Sequence, residues 1–86
     1  MKVVFSTSFL KSAKRLPEKI QKKLDFQTDL LEKSVFHPLL HTKQLAGNLT
    51  GFYSFRITRD YRVIFRFLDP DIIQLTQAAD RKDIYR

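Results

Sequence analysis

The chain has 86 residues, a formal net charge of +7 and no cysteine. This length predicts a single domain, residues 1–86, and the lack of cysteine excludes a disulfide framework, a thiolate metal site and a cysteine nucleophile. No stretch approaches the roughly 20 apolar residues that span a bilayer, and the N-terminus is too short and too soon polar for a signal peptide, so we expect a mature, soluble, cytoplasmic protein with no membrane partner.

The N-terminal part of the chain predicts one strand and two helices. Residues 2–6 (Lys-Val-Val-Phe-Ser) are typical of a short strand, and Ser6, Thr7 or Ser8 is suited to cap the helix that follows. The apolar face of this first helix would consist of Phe9, Leu10, Ala13 and Leu16. Pro17 fits the first turn of a second helix, whose apolar face would consist of Ile20, Leu24, Phe26, Leu30 and Leu31.

The C-terminal part predicts a run of strands. Residues 35–51 form a connection that contains Pro38 and both glycines, and the strands that follow cover about Tyr53–Ile57, Tyr61–Leu68 and Ile72–Ala79. The loops between these strands are short, so adjacent antiparallel hairpins are expected. The predicted fold class is therefore α+β, with the order β-α-α-β-β-β, an antiparallel-rich sheet and the two N-terminal helices packed on one face.

Alternation of side chains gives these strands one apolar and one basic face. The apolar face would contain Tyr53, Phe55, Ile57, Tyr61, Val63, Phe65, Phe67, Ile73 and Leu75. The opposite face would contain Ser54, Arg56, Arg62, Ile64, Arg66, Leu68, Ile72, Gln74, Thr76 and Ala78. Three-residue loops would pair Arg56 with Arg62, Leu68 with Ile72, Arg66 with Gln74 and Arg62 with Ala78.

The pairing of Arg56 with Arg62 places two like charges opposite each other, which destabilises a sheet unless an anion normally lies between them. Arg81 would emerge beside Arg62 and complete a cluster. The net charge also favours a polyanionic partner: RNA, DNA, an acidic protein or an anionic membrane. The alternative is that the arginines pair with nearby carboxylates or remain solvated.

Three segments carry the motifs of a known family. They are Leu45–Ile57, with Leu-x-Gly and Gly-x-Tyr-x-x-Arg, then Asp60–Phe65, with Tyr-Arg-Val-Ile-Phe, and Asp80–Arg86, with Arg-Lys-Asp-Ile-Tyr. Together they resemble the RelE/ParE toxins, and the resemblance spans essentially the whole chain. It implies the toxin of a bacterial type II toxin–antitoxin module, neutralised by an antitoxin whose segment wraps it. Many RelE-like members cleave mRNA in the ribosomal A site, whereas ParE-like members poison DNA gyrase.

The resemblance also implies site residues. Arg62 matches a strand arginine that contacts the region of the scissile phosphate, and Arg81 and Tyr85 match the family's C-terminal arginine and tyrosine. Arg56 falls at a basic position of the preceding strand. Ser54 stands where RelE has a lysine, and Lys43 stands where YoeB-like members have a glutamate, which leaves the general base unassigned. Further RNA contacts are expected from Ser54, Lys43, Arg59, Arg66 and Lys82.

The leading hypothesis is a ribosome-dependent mRNA endonuclease that inhibits translation, with ribosome, mRNA and antitoxin as partners. Arg56, Arg62 and Arg81 would hold the phosphate, and Tyr85 would move a proton, stack on a base, or merely anchor the C-terminus. The alternatives are a ParE-like inhibitor of DNA gyrase, which is not an enzyme, and a decayed, non-toxic member. No cofactor or metal is expected, because Pro38 spoils the helix that would align His37 with His41.

Overall fold

The computed structural model describes residues 1–84, so Tyr85 and its predicted role lie outside the described residues. The elements are β1 (Lys2–Phe5), α1 (Thr7–Lys14), α2 (Glu18–Lys33), β2 (Lys43–Gln44), β3 (Tyr53–Arg56), β4 (Tyr61–Asp69), β5 (Ile72–Asp80) and α3 (Arg81–Ile84). Two 3₁₀ turns, Pro38–Leu40 and Gly47–Leu49, lie in the connection before β3. The predicted order of elements is confirmed, with β2 added to it.

One sheet of five strands has the order β1-β5-β4-β3-β2. Strand β1 pairs with β5 in parallel, and the other neighbours are antiparallel. The predicted α+β class with an antiparallel-rich sheet is therefore confirmed. Strand β2 has two residues, both exposed, so no alternation of polar and apolar residues marks it in the sequence.

The apolar face predicted for the strands forms the core. Its fully buried members include Phe55, Phe65, Ile73 and Leu75, and α2 packs Leu24 and Leu31 into the same cluster. Two expectations for the helices are wrong: Leu10 is 48% exposed and Phe26 is 61% exposed. The inward stripe of α2 instead follows Ile20, Leu24, Gln27 and Leu31, a spacing that excludes position 26.

Gln27 is buried in place of Phe26, and its side-chain amide donates hydrogen bonds to the backbone of the sheet. Its Nε2 donates to the carbonyl oxygen of Arg56 at 2.8 Å and to that of Ile57 at 3.5 Å. These carbonyls lie where β3 ends, so the Gln27 side chain donates to backbone oxygens at the point where the regular hydrogen bonds between strands stop. Because buried backbone acceptors need a partner, this contact fixes the end of β3 against α2.

Two irregularities change the predicted register: an extra residue in β5, and an extra residue in β4, Leu68, between the pairs Phe67–Ile73 and Asp69–Ile72. Arg66 faces Gln74 as predicted, but Arg62 faces Ala79 instead of Ala78, and Ile72 faces Asp69 instead of Leu68. Between the pairs Phe65–Leu75 and Ile64–Gln77, Thr76 is an extra residue without an opposite partner. An extra residue reverses the alternation beyond it, so Ala78 turns into the core at 2% exposure.

Helix α1 covers the part of β5 that β1 does not reach. Strand β1 ends opposite Leu75, and the Ser6 hydroxyl then donates to the carbonyl of Thr76 at 3.3 Å. Further along, the backbone N–H of Ala78 donates to the Ser12 hydroxyl at 2.9 Å. Ser6 is also the N-cap of α1, accepting from the N–H of Phe9 at 3.0 Å. Two serines therefore join the helix to the bulge.

The bond between Ser12 and Ala78 yields a stability prediction. Ser12→Ala leaves the part-buried N–H of Ala78 without this acceptor, so we expect a loss of about 1–3 kcal/mol in the free energy of unfolding. Urea denaturation followed by circular dichroism measures it. Ser8→Ala, an exposed serine of the same helix, is the control and should change stability by less than about 0.5 kcal/mol. Equal stabilities for the two variants would contradict this account of the bulge.

Candidate nucleic-acid interface

The basic face of the sheet lies on the side opposite the core. Residues paired across antiparallel strands share a face, so the register places their side chains in rows. One row contains Arg56, Arg62 and Ala79, and the next contains Lys43, Ser54 and Ile64. A third contains Arg66 and Gln74. The predicted pairing of Arg56 with Arg62 is thus observed.

A small cavity opens at the first two rows. Its volume is about 170 Å³, and its lining residues are His41, Lys43, Ser54, Arg56 and Arg62, which we call the arginine pocket. Among residues 1–84, no acidic side chain lines it, so the alternative in which carboxylates of these residues neutralise the arginines has no support within the pocket. Two guanidinium groups and an ammonium group face one space, an arrangement suited to a phosphate group.

The guanidinium of Arg62 is held in place before any ligand arrives. Its Nη1 donates to the carbonyl oxygen of Thr58 at 2.7 Å, which ties the side chain to the turn between β3 and β4. An arginine has five N–H donors, and two parallel bonds suffice for a phosphate. The bond to Thr58 therefore orients the group at the expense of one donor.

His41 is the lining residue that the sequence did not reveal. It lies in a loop, as its sequence context predicts, but that context does not indicate a position beside the arginines. Its backbone is left-handed, with φ of 50°, and its N–H donates to the carbonyl of Pro38 at 3.3 Å. The neighbouring Leu40 is fully buried and anchors this turn. The missing signal was β2: once Lys43 pairs with Ser54, the residue two positions earlier comes near Arg56.

The other predicted site residues lie around this pocket. Arg81 is exposed at the start of α3, and its N–H donates to the carbonyl of Asp60 at 2.7 Å, which holds α3 against the β3–β4 turn. Its side chain does not line the arginine pocket. Arg59 is exposed in that turn, and Lys82 is exposed in α3. The structure thus brings Lys43, Ser54, Arg56 and Arg62 together, whereas Arg59, Arg81 and Lys82 are exposed and do not line the pocket.

A larger groove continues from the pocket toward α1. We call it the α1 groove; its volume is about 650 Å³ and its lining residues are Ser8, Lys11, Ser12, Arg15, Leu49, Phe52, Ile64, Arg66, Gln74, Thr76 and Gln77. It adjoins the arginine pocket because Ser54, which lines the pocket, pairs with Ile64, which lines the groove. Arg66, a predicted RNA contact, belongs to this groove, where its Nε donates to Gln74 Oε1 at 3.2 Å.

Within residues 1–84, no helix has the length and apolar character that crossing a membrane requires. The same residues contain no cluster of three or more histidine, cysteine, aspartate or glutamate side chains arranged to hold a metal ion. His37, the other histidine, uses its Nδ1 to accept from the N–H of Leu39 at 3.1 Å. It therefore caps the Pro38–Leu40 turn.

No protein-family model and no curated protein matches the chain. Solved structures do match it. YafQ from E. coli strain BL21(DE3) has a TM-score of 0.82 at 15% identity, covering 99% of this chain and 98% of that chain. The YoeB/ParE toxin from Agrobacterium tumefaciens has a TM-score of 0.78 at 21% identity, covering 94% and 99%. The toxin–antitoxin complex RelBE2 from Mycobacterium tuberculosis gives 0.74 at 26% identity, covering 93% and 96%. The fold is that of the RelE/ParE toxin superfamily, as the motifs predicted.

Proposed function

We propose that this chain is the toxin of a type II toxin–antitoxin module and acts as a ribosome-dependent mRNA endonuclease that inhibits translation. The arginine pocket is the observation that carries the proposal. Arg56 and Arg62 lie opposite each other with Lys43 nearby, and none of the described residues that line the pocket is acidic. A bound phosphate converts this repulsion between like charges into attraction on both sides.

The chemistry that fits such a pocket is attack of a ribose 2′-oxygen on the adjacent phosphorus. A base takes the proton of the 2′-hydroxyl as the O2′–P bond forms, and an acid or water gives a proton to O5′ as the P–O5′ bond breaks, so the products are a cyclic phosphate and a 5′-hydroxyl end. Negative charge grows on the phosphate oxygens during this step, and Arg56 and Arg62 stabilise it with fixed donors. Arg81 adds positive charge from the start of α3, and Tyr85 keeps its proposed role in proton transfer or base stacking.

A cognate antitoxin is the proposed protein partner. The neighbour from M. tuberculosis is itself a toxin–antitoxin complex. This chain has an apolar groove between α1 and α2, lined by Phe5, Phe9, Leu10, Ala13, Gln21, Leu24, Asp25 and Thr28. Phe5 and Leu10 are each nearly half exposed. Exposed apolar side chains along a groove suit an amphipathic helix of a partner, which supports an antitoxin site on the helices, away from the arginine pocket.

The first test is to map 5′ RNA ends in bacteria within minutes of inducing the chain alone. We expect new ends inside translated codons, and we expect Arg62→Ala to lower their yield about 100-fold or more, since it removes fixed donors from the developing charge. Lys23→Ala, which removes a charge from exposed α2, should cut like the wild type. Circular dichroism of the purified variants verifies that both are folded.

Two results would contradict this function. Intact mRNA together with DNA breaks and growth arrest would assign the chain to the gyrase inhibitors. Intact mRNA with normal growth would identify it as a non-toxic member of the superfamily.

The second test concerns the group that accepts the proton of the 2′-hydroxyl. His41 lines the arginine pocket, and a neutral imidazole has a ring nitrogen that can accept a proton, whereas a guanidinium group has no acceptor, so we propose His41 as the group that takes the 2′-hydroxyl proton. His41→Gln should slow single-turnover cleavage on programmed ribosomes about 100-fold or more. His37→Asn, the matched control outside the pocket, keeps a side-chain acceptor for the N–H of Leu39 and should cleave at the wild-type rate. Wild-type cleavage by both variants would move the role away from His41, and Tyr85→Phe would then examine the tyrosine.

A further inference from the structure

The α1 groove has positive charge on two of its sides. Lys11 and Arg15 are four residues apart, so they lie on the same side of α1, and both are exposed. Arg66 faces them from the sheet, with its guanidinium directed by the bond to Gln74. No acidic side chain of the described part of the chain lines the groove. A ligand lying between α1 and the sheet would therefore meet three cationic side chains without a competing carboxylate.

The rest of the groove has the groups that contact a base. Phe52 and Leu49 form an apolar wall, and Ile64, 3% exposed, forms part of the floor. Gln74 and Gln77 add amide groups, which donate and accept hydrogen bonds. Aromatic faces combined with cations and amides are typical of proteins that bind unpaired nucleotides, because the rings stack on bases while the cations contact the backbone.

The position of the groove determines which nucleotides it meets. Ser54 and Ile64 are paired neighbours on β3 and β4, so the arginine pocket and the groove share one surface of the sheet. A strand whose phosphate lies between Arg56 and Arg62 can continue across Ile64 toward α1 without leaving this surface. The hydrogen bonds of Ser6 and Ser12 to β5 hold α1, which forms one side of the groove, close to the sheet.

We infer that the α1 groove binds the unpaired RNA nucleotides next to the cleaved one, with their phosphates on Lys11 and Arg15 and a base stacked on Phe52. This inference rests on the proposed function and extends it, since it assigns a second subsite to the same RNA strand. It also separates two tasks: the arginine pocket acts on the phosphate, and the groove contacts the neighbouring nucleotides.

The test is an NMR titration of the isotope-labelled full chain with a single-stranded hexanucleotide. Its central ribose is 2′-deoxy, which removes the nucleophile and prevents cleavage. We expect amide shifts in α1, at Gln77 and around Arg56. The variant Lys11→Ala/Arg15→Ala should raise Kd about tenfold or more and reduce the slope of log Kd against log salt by about 0.7 for each lost phosphate contact.

A charge-matched control separates the groove from general electrostatics. Lys19→Ala/Lys23→Ala removes the same net charge at the same spacing from exposed positions of α2. It should bind RNA like the wild type. Phe52→Leu should raise Kd about fivefold or more with an unchanged salt slope, because it removes stacking and no charge. Equal effects of the two double variants would overturn the inference and leave only attraction by net charge.

The remaining outcomes are also decisive. Shifts around Arg56 and Arg62 without shifts in α1 would overturn the groove assignment and leave the proposed function standing. No shifts at either place would overturn the inference, while the RNA-end mapping still decides the function independently. A polyglutamate peptide that binds α1 as tightly as RNA, and that is insensitive to Phe52→Leu, would show a general anion site instead of an RNA subsite.

Discussion

Phe55, Ile57 and Val63 are buried on one side of the β3–β4 hairpin, and their burial forces Arg56 and Arg62 onto the other side. A slip of one residue would expose all three apolar side chains, so the core fixes the register that repulsion between the arginines opposes. Two like charges that face each other destabilise the sheet by roughly a few tenths of a kcal/mol or more. Burial of each large apolar side chain stabilises the fold by about 1.5–3 kcal/mol, which outweighs that repulsion. The basic face therefore depends on the core behind it.

Contacts from outside β3 and β4 position the residues of the arginine pocket. Gln27 reaches from α2 to the carbonyl of Arg56, so packing of a helix on the far side sets where β3 ends. The turn at Thr58 then orients Arg62, and the Pro38–Leu40 turn positions His41 at the same pocket. Each contact comes from a different part of the chain. The geometry of the pocket therefore depends on contacts from several separate parts of the chain.

Features that follow from the regular alternation of side chains along a strand could be predicted from the sequence, and irregular features could not. Alternation along β3 and β4 was enough to find the apolar core and the pair formed by Arg56 and Arg62. No glycine or proline marks the bulge at Thr76, so the sequence does not predict it. The prediction that Ala78 lies on the basic face is therefore wrong, because the residue is buried in the core. Strand β2 exists only through its pairing with β3, and His41 became visible as a pocket residue only with it.

The two edges of the sheet limit how another chain can extend it. An exposed edge is a template for strand addition and aggregation, and proteins protect it with short strands and charged side chains. Strand β2 offers only Lys43 and Gln44, and β1 offers only four residues, beginning with an exposed lysine. Past β1, the serines of α1 occupy backbone groups of β5. Both edges of the described sheet therefore consist of short strands, and neither presents a long row of unpaired backbone groups to another chain.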